Sequence, residues 1–131
     1  MINDGNENRP LSPHLTIYRP QFTSVMSILH RITGVSLILG ILVIITWFCS
    51  LALGPRYFDF VTQLIDTFPM RVVLIMWLWA LWYHFFAGLR HIIWDMGLGL
   101  DFSVAKLSAG LVIFFSTICF LATYFLTWMG K

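Results

Sequence analysis

The chain has 131 residues, of which 59% are hydrophobic and only 11% charged, for a net charge of +2. That much apolar surface exceeds what one small soluble core can bury, so an ordinary soluble domain is excluded. The slight positive balance also argues against a nucleic-acid surface.

The first eight residues are mostly polar and include Asp4 and Glu7. They lack the basic start and apolar stretch of a secretory signal, and the Arg-rich character of a mitochondrial transit peptide. The first apolar run is therefore expected to act as its own insertion signal. Three such runs follow, at about 27–53, 70–94 and 107–128. Each exceeds the roughly 20 residues that a bilayer-crossing helix needs. Hydrocarbon offers backbone amides no partners, so the runs should be helical, and they lack the alternation of a membrane barrel.

The predicted fold class is an all-α membrane protein: three transmembrane helices in an up-down-up bundle, forming one membrane-anchor domain over 1–131. Gly54-Pro55 stops the first helix, Phe68-Pro69 introduces the second, and Gly97-Leu98-Gly99 precedes the third. The loops between them are read as short. Three helices enclose little, so a partner subunit is expected to complete the bundle.

Arg9, Arg19, Arg31, Arg90 and Lys106 fall on the side shared by the N-terminus and the second loop, against Arg56, Arg71 and Lys131 on the other. This bias places residues 1–26 on the inner side. Cys49 and Cys119 have no metal or redox spacing and are read as small buried apolar residues.

His84 is the most informative residue, because an ionisable group at bilayer depth is costly and marks a functional site by default. Ligating a haem iron, relaying protons or bonding to another helix are the jobs that suit an imidazole there. His84, Gly88 and His91 stand at i, i+4 and i+7, one stripe of the second helix. Gly88 removes a side chain beside His84, which would let a macrocycle or a backbone approach. Ser27, His30, Arg31 and Gly34 form a matching face at the start of the first helix. If the two helices are antiparallel neighbours, cations including Arg90 gather at the inner end while His84 lies deeper. Haem b has that polarity, since its iron needs an axial ligand and its propionates need positive partners near an interface.

Arg31 and Ser27 suit a second task. Reduction of a quinone builds negative charge on its carbonyl oxygens, and a guanidinium and a hydroxyl one turn apart can donate hydrogen bonds there. Apolar neighbours, including Ile28, would take the ring and tail. Plainer readings coexist with these. Arg31 could snorkel to headgroups, and His30 and His91 could sit at the interface. His84 could bond another helix, and Ser27 its own backbone. Most of the six tryptophans read as an aromatic belt.

Three motifs, RPLSPHLTIYRP at 9–20, SILHRITG at 27–34 and HFFAGLRHIIWD at 84–95, occur in this order across three spans. In them the chain resembles the cytochrome b556 subunit family of succinate dehydrogenase, the larger membrane anchor of respiratory complex II. The first motif looks like the mitochondrial and alphaproteobacterial branch. The resemblance implies that His84 is an axial ligand to the iron of haem b, and that His30 and Arg31 contact the propionates. It also implies that Ser27 and Arg31 lie at the ubiquinone site. His91 would lie near the haem edge without ligating.

The second axial histidine would come from a smaller anchor subunit, with iron–sulfur and flavoprotein subunits as the other partners. The implied location is the bacterial cytoplasmic or mitochondrial inner membrane. A haem-free structural anchor and an anchor of a quinol:fumarate reductase are the alternatives. A small transporter is disfavoured, because none of the six acids lies deep in a span.

Overall fold

The computed structural model describes residues 21–129, and the side chain of Trp128 is outside that description. The motif at 9–20, with Arg9 and Arg19, and Lys131 lie outside the described residues. Within them the chain forms α1 (Phe22–Leu53), α2 (Pro55–Ile65), α3 (Phe68–Asp95) and α4 (Phe102–Met129). Three of these, α1, α3 and α4, are long and apolar enough to cross a membrane. At 1.5 Å per residue, α1 is about 48 Å long and α3 and α4 about 42 Å each, so all outreach a ~30 Å hydrocarbon core.

The short loop expected between the first two spans is instead the 11-residue helix α2. Gly54, at φ 109°, takes a conformation that a residue with a Cβ rarely adopts and so ends α1. Pro55 then starts a new helix, because its missing N–H is no loss in a first turn and its ring fixes a helical φ. Phe58 of α2 packs on Trp47 of α1 at 5.6 Å, while Arg56, Asp59 and Gln63 are exposed. Thr67 donates to Leu64 O at 2.7 Å where α2 hands over to α3. The exposed Arg71–Asp66 pair at 2.7 Å spans the same turn, a contact of small energetic weight at a surface.

The α3–α4 turn closes by a Schellman arrangement. Leu98 N donates to Ile93 O at 3.2 Å and Gly97 N to Trp94 O at 2.8 Å, with Gly97 at φ 77°.

Cross-helix contacts fix the topology as up-down-up. Along α1, His30, Gly34 and Gly40 meet His91, His84 and Trp77 in turn, so α1 and α3 run antiparallel. Arg90–Ser108 and Trp82–Thr123 show the same for α3 and α4. α3 is the central helix, with α1 and α4 packed on either side of it. Buried Ala80, Ala87, Ala105 and Ala109 let the backbones approach, the usual solution where lipid gives no hydrophobic drive between helices.

Tyr83 is completely buried, and its hydroxyl donates to Met26 O at 2.9 Å. Trp77 Nε1 donates to Ser36 Oγ at 2.8 Å, and Trp82 Nε1 to Thr123 Oγ1 at 3.2 Å. Each such bond is worth about 0.6 to 2 kcal/mol in a membrane. Other hydroxyls bond back onto their own helices, as Thr46 does to Leu42 O at 2.8 Å and Ser116 to Ile113 O at 2.9 Å.

Three sequence expectations change here. Trp77, Trp79 and Trp82 lie mid-helix and pack or bond between and along helices, so they are not belt residues. Cys49 is exposed and Cys119 only half-buried, because lipid solvates the outer faces of these spans as well as a core would. Arg90 turns away from α1. It is buried against α4, donating from Nε to Ser108 Oγ and from Nη2 to Ala105 O, both at 2.9 Å, and it lies 3.8 Å over the Trp94 ring.

Candidate functional site

The histidine stripe of α3 and the polar face of α1 meet. His30 stacks on His84 with centroids 4.1 Å apart and planes within 13°. On its other side His30 lies 5.0 Å from His91, tilted by 43°, and His91 meets Trp94 edge-on at 5.4 Å. The rings thus form a file. His84 is 11 residues from the end of α3, about 16 Å along the axis, so the file runs from span interior to span end.

Two oxygens face His84 Nδ1. The His30 carbonyl lies at 3.1 Å and Thr33 Oγ1 at 3.3 Å. The carbonyl can only accept, and the Thr33 proton is directed at Leu29 O and His30 O, each 2.9 Å away. The proton therefore belongs on Nδ1, which leaves the lone pair on Nε2. An α-helix of this register thereby presents an imidazole whose Nε2 carries a free lone pair.

Gly34 makes the contact possible. A Cβ there would fall 2.9 Å from His84 Cε1, closer than real side chains allow. Gly88, expected to open space beside His84, instead faces His30, where a Cβ would sit at an ordinary 3.8 Å. Beyond His84 an apolar groove of about 490 Å³ runs between α1 and α3, lined by Leu37, Ile41, Trp77 and Leu81 among others.

The remaining α1 residues divide by face. Ser27 is half-buried, while Ile28 and Arg31 are exposed. Among the described residues neither the Ser27 hydroxyl nor the Arg31 guanidinium makes a hydrogen bond. Among them, too, no three His, Cys, Asp or Glu side chains converge in a way that could hold a bare metal ion. Sequence reasoning missed Thr33 and the need for glycine at 34. A signal was present in the spacing, since Thr33 and Gly34 lie three and four residues after His30 and so share its face.

A family model described as succinate dehydrogenase/fumarate reductase transmembrane subunit matches residues 5–123. The chain belongs to this family. Among curated relatives, a succinate dehydrogenase cytochrome b556 subunit of Paracoccus denitrificans is 39% identical over 112 residues, covering 86% of this chain and 85% of the relative. A cytochrome b560 subunit of the same enzyme from Marchantia polymorpha is 42% identical over 113 residues, 82% of each chain. Another from Reclinomonas americana is 35% identical over 129 residues, covering 92% of this chain and 90% of that one. Membership in this transmembrane family fits the three spans. It also fits a chain whose wide exposed apolar surface includes Ile32, Val35, Leu39 and Phe85.

Proposed function

We propose that this chain anchors a succinate:quinone oxidoreductase in the membrane, holds one face of a haem b through His84, and forms part of the ubiquinone site. The observation that carries the proposal is the pair of oxygens on His84 Nδ1, which leaves Nε2 as a lone-pair donor inside a span. The other residues fit the group. Gly34 lets the His84 ring seat directly against the α1 backbone, and His30 Nδ1 is buried with no hydrogen-bond partner among the described residues. A buried donor or acceptor left unpaired costs about 1–3 kcal/mol, so a propionate or water at that nitrogen would recover a penalty. When bound, haem b supplies a one-electron redox centre.

The residues of the chain then have distinct tasks. His84 ligates the iron, while His30 and Arg31 meet the propionates. Ser27 and Arg31 donate to a quinone carbonyl oxygen, and exposed Ile28 lies against the ring. Ubiquinone needs two electrons and two protons, and a fixed guanidinium stabilises charge on its oxygen before the protons arrive. Succinate is oxidised elsewhere, on a flavoprotein subunit, with electrons crossing an iron–sulfur subunit.

A smaller anchor subunit would supply a second iron ligand and cover the outer side of the site. The N-terminus lies on the cytoplasmic or matrix side of a bacterial or mitochondrial inner membrane, as the charge bias suggests.

The test is purification of the whole complex followed by haem assay and solvent extraction of the bound quinone. The proposal expects b-type haem, one per complex, with ubiquinone. A complex with full succinate-to-quinone activity and no haem would reduce this chain to a structural anchor. Extraction of menaquinone would favour the fumarate-reducing direction.

A further inference from the structure

The segment 30–34 of α1 shapes the surroundings of the His84 ring with three different devices. The His30 carbonyl and the Thr33 hydroxyl both face Nδ1, at 3.1 and 3.3 Å, and the bare Cα of Gly34 lies against Cε1. Thr33 is 7% exposed, so no solvent competes for its oxygen. Its own proton points back at the carbonyls of Leu29 and His30, which leaves its lone pairs toward the imidazole. Its bonds to the carbonyls three and four residues back hold the oxygen in place.

From this geometry we propose that Thr33 is a positioning residue for His84. Its hydroxyl, a second acceptor on Nδ1–H beside the His30 carbonyl that sets the tautomer, fixes the plane of the ring and enriches the electron density of Nε2. The inference rests on the reading of His84 as an iron ligand. Partners on the outer nitrogen of a ligating histidine set its orientation and raise its basicity. A more basic ligand favours the oxidised iron, so Thr33 holds the midpoint potential of the haem lower than it would otherwise be.

The experiment compares Thr33→Val and Thr33→Ser with the parent in the complete, purified complex. Valine keeps the branched shape and removes only the hydroxyl, whereas serine keeps the hydroxyl. Two readouts independent of turnover are taken. One is the haem midpoint potential by redox titration, and the other is the largest g value of the low-spin ferric haem by electron paramagnetic resonance, which reports the relative planes of the axial rings.

The expected result is a higher potential and a displaced g value in Thr33→Val, with both restored in Thr33→Ser. Loss of haem in the valine variant alone also supports the proposal, since it isolates the hydroxyl as the requirement. Parental or lower potential with a parental g value in Thr33→Val overturns it. So does equal haem loss in both variants, which assigns the effect to shape. A parent complex that contains no haem fails the iron-ligand reading itself, and is thereby told apart from failure of the Thr33 assignment.

Discussion

Gly34 and His84 touch across the α1–α3 interface so closely that a methyl group on Gly34 would lie 2.9 Å from Cε1 of the ring and 3.8 Å from Nε2. Substitution must therefore move the ring or part the helices. In contrast, a methyl on Gly88 would meet His30 Cε1 at 3.8 Å, an ordinary contact. We expect Gly34→Ala to lower the haem-to-protein ratio of the purified complex and shift its absorbance. Gly88→Ala should leave both near parental values. Pyridine haemochrome assay of the two variants side by side is the check, and equal haem content in both would contradict the geometry.

Arg31 is exposed on α1 and has no hydrogen-bond partner among the described residues, so its guanidinium is open to a ligand or a neighbouring subunit. Loss of one donor to a developing oxyanion costs on the order of 10²-fold in rate. Arg31→Ala should lower quinone reductase turnover by about that factor while succinate-dependent reduction of an artificial dye persists. Arg31→Lys should recover little, because a point charge does not replace the forked donor. Parental quinone turnover in Arg31→Ala would remove this residue from the quinone site.

Much of this site was legible from residue spacing. The i, i+3, i+4 and i+7 face of the first span and the i, i+4 and i+7 stripe of the second brought His30 level with His91, as expected, but the spacing did not show that His30 would also stack on the deeper His84. The three membrane helices followed from hydropathy. Sidedness was not legible. In water the buried face of a helix is marked by apolar residues, but in lipid both faces are apolar and the mark disappears. This is why Cys49 and Arg90 were misplaced. The direction of Arg90 is set by acceptors on α4, Ser108 and the Ala105 carbonyl, eighteen and fifteen residues later in the chain. α2 was missed because a Gly-Pro pair reads as a stop, although the same pair can end one helix and begin the next.

Arg90 joins α3 to α4 through two hydrogen bonds and a ring contact with Trp94. It reaches the histidine file only indirectly, through Trp94, which meets His91 edge-on at 5.4 Å. Arg90→Met keeps much of the side-chain volume and deletes these contacts, at a cost of about 1–3 kcal/mol. The complex in detergent should unfold at a lower temperature while its haem spectrum and redox potential hold. A spectral change without loss of thermal stability would mean that Arg90 belongs with the haem after all.

The central claim is that His84 binds iron, and the most direct measurement is the dithionite-reduced minus oxidised spectrum of purified complex carrying His84→Leu. Leucine is close in volume and cannot ligate, so assembly of the subunits is expected to survive. The account predicts that the parental b-type bands are lost or markedly shifted, and that quinone reduction falls less than it does in Arg31→Ala. An assembled His84→Leu complex with the parental haem spectrum and midpoint potential would contradict it.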